Sequence, residues 1–437
     1  MKRLGLPAVL ALVACGSEVP VDNGRNPFLE DLSDSGKEDS GYLNPDGVEV
    51  EVDLEGDVTG GATQIKEGPA MIGQFAMTFF RKQEKLYIES LAEDASSATR
   101  AEWLIDGVWL AADKVPAGAS RKRWRLRGLN AVHLFAAGTK PKVGDELIAK
   151  VPVNPFTVFR DAGDSCADSD DHIPLDQAVY WYRWEGDRPG CKAALQDLKI
   201  TVSKTFSTAT AAVYPEYDQL VADNKVTVAI LFGQIGDEAT ISSSDPGVRN
   251  HARYGRMLTD AGFKSVTAPV GKRFEKTLRG GVVAQIDLYA PKDFSGLGDF
   301  EHFDNFQKAL SEHEVVAYDG HSMLGASDFW TRPEYPSFYQ IYLYGGCLGY
   351  EYYIKPILHG KGDSWAKLDI MSSVIEVTAD ATDFAAPAIA KLLFAIENGK
   401  RSSWKQVLNI VRENVGDSTF GVSGVRDNCY APGGNRC

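Results

Sequence analysis

The sequence has no excess of positive charge. Its 437 residues include 46 Lys and Arg against 60 Asp and Glu, which gives a formal net charge of −14 at pH 7. No basic stripe with interleaved aromatic residues offsets this balance, so the composition argues against a nucleic-acid partner. Apolar residues make up 44% and charged residues 24% of the chain. That composition is ordinary for a globular protein, and the length suits two or three domains.

The signatures of common cofactors and metal sites are missing as well. The chain contains no P-loop, no dinucleotide-binding fingerprint, and no H-E-x-x-H or C-x-x-C spacing. We therefore expect no cofactor and no zinc site. One acidic loop beside Cys166 could hold Ca²⁺ through carboxylate oxygens, although a solvated loop is the plainer interpretation. Its carboxylates are Asp161, Asp164, Asp168, Asp170 and Asp171.

Apolar segments long enough to cross a bilayer are also absent. Leu4–Val13 follows the basic start Met1-Lys2-Arg3 and is far shorter than the roughly 20 residues that a spanning helix needs. A short apolar run behind a basic start is typical of a secretory signal. We therefore exclude this segment from the fold.

The end of that run, Leu12-Val13-Ala14-Cys15, resembles the bacterial lipobox. The resemblance implies a signal peptide at 1–14, cleavage before Cys15, diacylglycerol on the Cys15 thiol and an acyl chain such as palmitate on its new amine. An ordinary secretory signal with a chance cysteine is the alternative. Gly16 stands where an inner-membrane retention signal usually has Asp. The expected location is thus the bacterial cell envelope, at the outer membrane of a Gram-negative cell, with the lipid as the only membrane contact.

Cysteine is scarce, and its positions are informative. Export to an oxidising compartment favours disulfides, and four of the six cysteines lie close enough in sequence to pair locally, as Cys166 with Cys191 and Cys429 with Cys437. Lipid would occupy Cys15. This arrangement leaves Cys347 as a reduced thiol, although other connectivities remain open.

Three segments follow the signal peptide. Residues 15–46 are polar, acidic and rich in Gly, Ser, Asp and Pro, which predicts a disordered tether. Residues 47–206 are dominated by strand patterns with frequent turns, which favours an antiparallel, sandwich-like domain. Its predicted strands are Val48–Leu54, Met71–Phe80, Lys85–Ser90, Trp103–Leu110, Arg123–Arg127, Leu147–Val153, Ala178–Trp184 and Leu195–Ser203.

Residues 207–437 alternate apolar strands with amphipathic helices, which predicts a mostly parallel sheet with helices on both faces. The expected strands are Val226–Phe232, Ser265–Val270, Val282–Leu288, Val315–Tyr318, Phe338–Tyr344 and Ser373–Thr378. The clearest helix begins with Asp245 as N-cap and Pro246 at N1, and ends before Gly262. Further helices are expected near Phe300–Leu310, Asp383–Glu397 and Ser403–Glu413.

Two of these strands end at residues that can perform chemistry. One runs into Gly320-His321-Ser322 and the next into Gly345-Gly346-Cys347. Ligands of open α/β sheets sit at the carboxyl ends of adjacent strands, so His321 and Cys347 can face one crevice. An imidazole is well matched to deprotonating a thiol. The pattern therefore predicts a Cys-His dyad.

A strand ending at a His, followed by a strand ending in small residues and Cys, resembles the caspase-like fold of caspases, gingipains, clostripain and legumain. The resemblance covers roughly residues 225–415, and the motifs around His321 and Cys347 carry it. It implies a cysteine peptidase acting on a peptide or protein substrate, with Cys347 as nucleophile and His321 as base. It also implies an oxyanion hole from the backbone N–H groups of Ser322 and Cys347.

Local features of the Cys motif fit the same interpretation. A helix beginning at Cys347 and running through Leu348–Leu358 would lower the pKa of the thiol through its dipole. Gly345 and Gly346 would let a substrate backbone approach closely.

Two other functions stay open. One is a caspase-like lipoprotein that keeps the fold and only binds a partner. The other is a serine hydrolase, because Gly320-His321-Ser322-Met323-Leu324-Gly325 nearly spells the G-x-S-x-G elbow with Ser322 as nucleophile. In that elbow the second Gly comes one residue late, and the only downstream histidine is His359.

Overall fold

The fold is taken from a computed structural model of the full chain. It describes residues 26, 28–29, 47–83, 86–88, 100–134, 140–161, 163–168, 179, 183–206, 212–236, 238–322, 327–374, 377, 384–399, 401–415 and 420–437. Cys15, the predicted signal peptide and most of the predicted tether lie outside these residues. Mixed α/β architecture with two sheets is confirmed.

The first sheet is entirely antiparallel, as the turn-rich sequence predicts. Its strands are β1 (Gly47–Asp57), β2 (Leu86–Ile88), β3 (Glu102–Ile105), β4 (Val108–Ala111), β5 (Arg123–Leu134), β6 (Glu146–Pro152) and β7 (Leu195–Thr205). They are arranged in the order β4-β3-β5-β1-β7-β6, and β2 also pairs with β5. In the described part of the chain this is one sheet, and a helix rather than a second sheet packs against it.

That helix is α1 (Ala62–Lys82), and it corrects the strand predicted at Met71–Phe80. The apolar run is buried on nearly every side, so its periodicity could not distinguish a strand from a core helix. Gly68-Pro69 also resembles a break, whereas the structure carries Pro69 inside the helix. Residues on both sides of this pair belong to one element of 21 residues.

Other boundaries in this half moved by smaller amounts. The strand predicted at Trp103–Leu110 is a hairpin whose turn, Asp106-Gly107, has φ of 47° and 81°. Positive φ at both central residues is the requirement of a type I′ turn, which Asp-Gly satisfies well. Most of the strand predicted at Ala178–Trp184 lies outside the described residues, and Arg183 and Trp184 are irregular.

The second sheet has a parallel centre, as predicted for residues 207–437. Its strands are β8 (Lys225–Phe232), β9 (Lys264–Val266), β10 (Lys272–Thr277), β11 (Val283–Tyr289), β12 (Val315–Asp319), β13 (Gln340–Tyr344), β14 (Leu368–Ser373) and β15 (Phe420–Ser423). Their order is β15-β14-β13-β12-β8-β11-β10-β9. Strands β14, β13, β12, β8 and β11 are parallel, whereas β15, β10 and β9 are added antiparallel at the edges.

The remaining helices are short except for those that cover this sheet. They are α2 (Pro155–Asp161), α3 (Gly163–Cys166), α4 (Tyr217–Leu220), α5 (Pro246–Asp260), α6 (Phe303–Glu312), α7 (Ser327–Trp330), α8 (Gly349–Tyr352), α9 (Ile354–Gly360), α10 (Ala385–Asn398) and α11 (Trp404–Val415). Asp245 caps α5 as predicted, and Gly262 follows it with φ of 84°. The strand predicted at Ser373–Thr378 is instead β14, which ends at Ser373. No helix in the described ranges is long and apolar enough to cross a membrane.

The two halves share a hydrophobic cluster. Residues of β1, β5 and α1 form a continuous buried cluster with residues of β12, β13 and α8. A buried ion pair crosses the same boundary, since Arg81 Nη1 lies 2.7 Å from Glu351 Oε2 with side chains only 4% and 0% exposed. Beside it, Gln74 donates a hydrogen bond of 2.9 Å to the Tyr352 hydroxyl. The first sheet and α1 therefore belong to the packing of α8.

Part of the predicted tether also contacts the folded chain. The Asn26 side-chain amide donates to the Met257 carbonyl at 2.7 Å. The ring of Phe28 packs edge-on against Phe263, with 6.2 Å between the ring centroids. These residues of the tether thus lie on the surface formed by α5 and the turn after it.

Both predicted local disulfides are confirmed, as Cys166–Cys191 and Cys429–Cys437. In the acidic loop beside Cys166, Asp168 lies 2.7 Å from Arg188 and 3.9 Å from Lys82. The positive charge near this carboxylate is therefore supplied by the protein. Asp170 and Asp171 and the side chains of Asp161 and Asp164 lie outside the described set, and the rest of the described chain contains no group of three or more potential metal ligands.

A buried carboxyl organises the amino end of β14. Asp369 Oδ2 accepts hydrogen bonds from the Tyr339 hydroxyl at 2.6 Å, Asn428 Nδ2 at 2.7 Å and Trp404 Nε1 at 2.8 Å. Burial raises the pKa of Asp369 to about 7, although these three donors act in the opposite direction. One side chain thus joins the residue before β13, α11 and the C-terminal segment.

Asp369 should make folding stability depend on pH. Its pKa is higher in the folded chain than the ordinary 3.8, so its contribution is complete below about pH 3.8 and is lost as the pH rises through 7. The free energy of unfolding of the wild type should therefore fall across this window by up to roughly 4 kcal/mol relative to Asp369→Asn. Urea titrations at several pH values would measure it. The exposed Asp113→Asn is the control, and parallel pH profiles for wild type and Asp369→Asn would contradict the prediction.

Candidate functional site

The predicted dyad residues occupy equivalent places beyond two adjacent strands. Tyr318 of β12 pairs with Tyr344 of β13. His321 follows Tyr318 by three residues (321 − 318 = 3), and Cys347 follows Tyr344 by three (347 − 344 = 3). Parallel pairing therefore carries both motifs to the same edge of the sheet, as the sequence predicted.

The side chain of His321 has a defined orientation at this edge. Its Nε2 lies 2.8 Å from the carbonyl oxygen of Ile235, which belongs to the loop after β8. A carbonyl oxygen can only accept, so Nε2 carries the proton of the neutral ring and the lone pair is on Nδ1. The ring is half-buried. A third strand end thus selects the tautomer of the candidate base.

Ser322 connects the His motif to the Cys motif. Its hydroxyl donates a short hydrogen bond to the Cys347 carbonyl and accepts one of 3.2 Å from the Tyr344 hydroxyl. The Tyr353 hydroxyl donates to the Ser322 carbonyl. These contacts bind the backbone after β12 to the backbone after β13.

The sulfur of Cys347 lies close to the backbone of Val377. Cys347 is only 6% exposed, and its Sγ is 3.4 Å from the Val377 carbonyl oxygen. The prediction that Cys347 is reduced is wrong, because Cys347 is disulfide-bonded in the structure. The other described cysteines pair with one another.

The turn after Cys347 also differs from the expected helix. Leu348 has φ of 56°, a left-handed conformation that is uncommon for a residue with a branched side chain and that costs energy. The predicted helix over Leu348–Leu358 is divided into α8, of four residues, and α9, of seven. A helix of four residues has a weak dipole, so the predicted dipole effect on the pKa of the thiol loses its basis.

The glycines before Cys347 are required by packing within the protein. A Cβ on Gly345 would lie 2.2 Å from the Phe384 ring. A Cβ on Gly346 would lie 2.5 Å from Ser322 Oγ and 2.8 Å from the Tyr344 hydroxyl. The space that we assigned to a substrate backbone is therefore filled by side chains of this chain.

Ser322 does not fit the role of a hydrolase nucleophile. It is 4% exposed, and its hydroxyl is held by the two hydrogen bonds to Cys347 and Tyr344. The downstream His359 is a surface residue, 81% exposed, whose ring lies 3.3 Å from Asp363. Met323, Leu324 and Gly325 of the elbow lie outside the described ranges.

Comparison of the chain with protein-family models, with curated proteins and with solved structures found no match. The caspase-like resemblance consequently remains a proposal that depends on the residues at the strand ends.

Sequence reasoning missed two residues of this site. Ile235 contributes only its backbone carbonyl, and Val377 lies after a strand that was predicted five residues too late, from Ser373 instead of Leu368. Residue type carries no information about a carbonyl contact. The available signal was positional, because Ile235 also follows a central parallel strand.

Replacing Gly346 should test the packing between the two motifs. Gly346→Ala should lower the free energy of unfolding by about 1–3 kcal/mol, because its Cβ would overlap Ser322 Oγ and the Tyr344 hydroxyl. Adding Ser322→Ala should recover part of the loss, and a double-mutant cycle by urea unfolding would measure this coupling. Gly433→Ala, with open space around its Cβ, is the control. If the effects of the two substitutions on the free energy of unfolding simply add, the Cβ at position 346 does not contact the Ser322 side chain.

Proposed function

We propose that this chain is a lipid-anchored protein of the bacterial cell envelope whose α/β half is a caspase-like cysteine peptidase. Cys347 is the nucleophile and His321 the base. The hydrogen bond from His321 Nε2 to the Ile235 carbonyl carries the proposal, because it leaves the lone pair on Nδ1, where a base needs it. The equivalent positions of the two residues beyond paired strands support it further.

The reaction is an acyl transfer to sulfur. His321 Nδ1 takes the proton of the Cys347 thiol, and the thiolate attacks the carbonyl carbon of a peptide bond, so that a C–S bond forms. The C–N bond then breaks, and the leaving amine receives the proton from the imidazolium. Water hydrolyses the thioester, releasing the acid and restoring the thiol. The backbone N–H groups of Ser322 and Cys347, in segments held by hydrogen bonds, would stabilise the oxyanion.

The disulfide of Cys347 must be opened before this reaction can begin. Exchange with a small thiol does so when its thiolate attacks the other sulfur of the bridge, because a mixed disulfide then forms there and Cys347 leaves as the thiolate.

A second candidate is a protein of the same fold that binds peptides without cleaving them. The specific observation in its favour is that Cys347 is disulfide-bonded and that the residue is only 6% exposed. The two candidates differ in whether Cys347 reacts as a thiolate once it is reduced.

Reduced protein should react at Cys347 faster than at an ordinary thiol, and His321→Ala should remove this advantage. Labelling by iodoacetamide after mild reduction, mapped by mass spectrometry, would measure the rates, with Cys429 and Cys437 as internal references. A peptide-library digest should show cleavage that Cys347→Ser abolishes and His321→Ala lowers by about 10²–10⁴-fold. His359→Ala, at an exposed histidine, is the matched control.

Two results would decide against the peptidase. If Cys347 in the reduced protein labels no faster than the reference cysteines and no peptide is cut, the binding candidate replaces it. Cleavage that survives Cys347→Ser would assign the activity to other residues.

The anchor is tested separately. Chain expressed in a Gram-negative host should partition into detergent, and its mass should correspond to a chain that starts at Cys15 and carries diacylglycerol and an acyl chain. Cys15→Ser should make it partition into water, whereas Ser17→Ala should not. A detergent-extracted chain that starts at Met1 would exclude the lipoprotein.

A further inference from the structure

The loop after β8 is held by hydrogen bonds at each of its first residues. Gly233 N–H donates to the Asp319 carbonyl at 2.7 Å, and Gln234 N–H donates to the Ser295 carbonyl at 2.8 Å. Ile235 N–H donates to Asp245 Oδ2 at 3.0 Å. The Ile235 carbonyl that meets His321 is thus fixed by contacts to three different segments.

Asp245 is the centre of this arrangement. Its Oδ2 accepts from the N–H groups of Ile235 and, at 2.7 Å, Gly236. Its Oδ1 accepts from Gly247 at 2.8 Å and Val248 at 3.3 Å, which are the first N–H groups of α5. The side chain is 4% exposed. One buried carboxylate therefore caps a helix with one oxygen and holds a loop with the other.

A helix cap alone does not explain both halves of this geometry. An ordinary N-cap satisfies the N–H groups of the first turn, which Oδ1 already does here. The contacts of Oδ2 are to a segment nine and ten residues earlier in the chain (245 − 236 = 9; 245 − 235 = 10). Their effect is to orient the peptide that contains the Ile235 carbonyl.

We infer that Asp245 is a positioning residue for His321. It acts through the peptide group between Ile235 and Gly236, because it accepts from the Gly236 N–H of that group and from the Ile235 N–H before it, while the carbonyl of that group accepts from His321 Nε2–H. The catalytic meaning of this inference rests on the proposed function, whereas the positioning itself does not. Hydrogen bonds therefore connect Asp245 through Ile235 to His321. They hold the ring in the tautomer that a base acting through Nδ1 requires.

Asp245→Asn separates the two tasks of the carboxylate. Asn is as good an N-cap as Asp, so Oδ1 can still accept from Gly247 and Val248. Its Nδ2 is a donor and would face the N–H groups of Ile235 and Gly236, which are donors too. Asp245→Ser is the second variant, because its short hydroxyl can cap α5 and cannot reach the loop.

The readout is the tautomer of His321 in protein with ¹⁵N-labelled histidine at about pH 8, above the ordinary histidine pKa of roughly 6.5. The chain has seven histidines, and the signal lost in His321→Ala identifies the right one. We expect the wild type to show the Nε2–H tautomer. Both Asp245 variants should lose this preference and show a mixture of tautomers while helical content stays at the wild-type level.

The control is Ser364→Ala, which removes a side-chain cap at a distant site and should leave the His321 signals unchanged. An Nδ1–H tautomer of His321 in the wild type would by itself overturn the inference. The inference therefore stays testable even if a variant fails to fold. A wild-type spectrum of His321 in folded Asp245→Asn and Asp245→Ser would also overturn it. None of these readouts needs peptidase activity, so failure of the proposed function would be seen separately.

Discussion

Parallel pairing of four neighbouring strands is the constraint on which the candidate site depends. Strands β8, β12, β13 and β14 lie side by side and point the same way, so the loops that follow them emerge at one edge. Those loops supply the Ile235 carbonyl, His321, Cys347 and the Val377 carbonyl in turn. A shift of register in any one strand would move the site residue that follows it away from the other three. The number of residues between the last paired residue and the site residue sets the position of the latter.

Hydrogen bonds to the backbone hold this edge together. The hydroxyls of Tyr318 and Tyr353 donate to the carbonyls of His321 and Ser322, and Ser322 in turn donates to the carbonyl of Cys347. Both tyrosines belong to a buried aromatic cluster with Tyr344, which stacks on Tyr353 with ring centroids 4.7 Å apart. Buried polar groups of this kind are costly unless they are paired. The loops are therefore held in an arrangement that gives these buried polar groups hydrogen-bond partners.

The amino-terminal half also contacts this edge, through α1. Arg81 and Gln74 of α1 bind Glu351 and Tyr352 of α8, the helix that begins two residues after Cys347. Removing one member of a buried ion pair is strongly destabilising, because it leaves the other charge buried without compensation. The amino-terminal half is thus coupled to the turn that contains Cys347. The strand-rich sequence pattern changes to alternating strands and helices near residue 206, whereas one hydrophobic cluster includes residues on both sides of that point.

Local chemistry in the sequence was enough for the alternating elements, the caps of α5, both local disulfides and the placement of His321 and Cys347 at adjacent strand ends. These features depend on side-chain periodicity, on capping and on short sequence separations, all of which can be read along the chain. Only the tertiary structure decided that Met71–Phe80 is helical, because a segment buried on nearly every side has no informative periodicity. It alone also decided that Gly345 and Gly346 make room for Phe384 and Ser322, and that the Ile235 carbonyl meets His321. Those contacts join residues far apart in the chain, and a backbone carbonyl has the same chemistry at every residue.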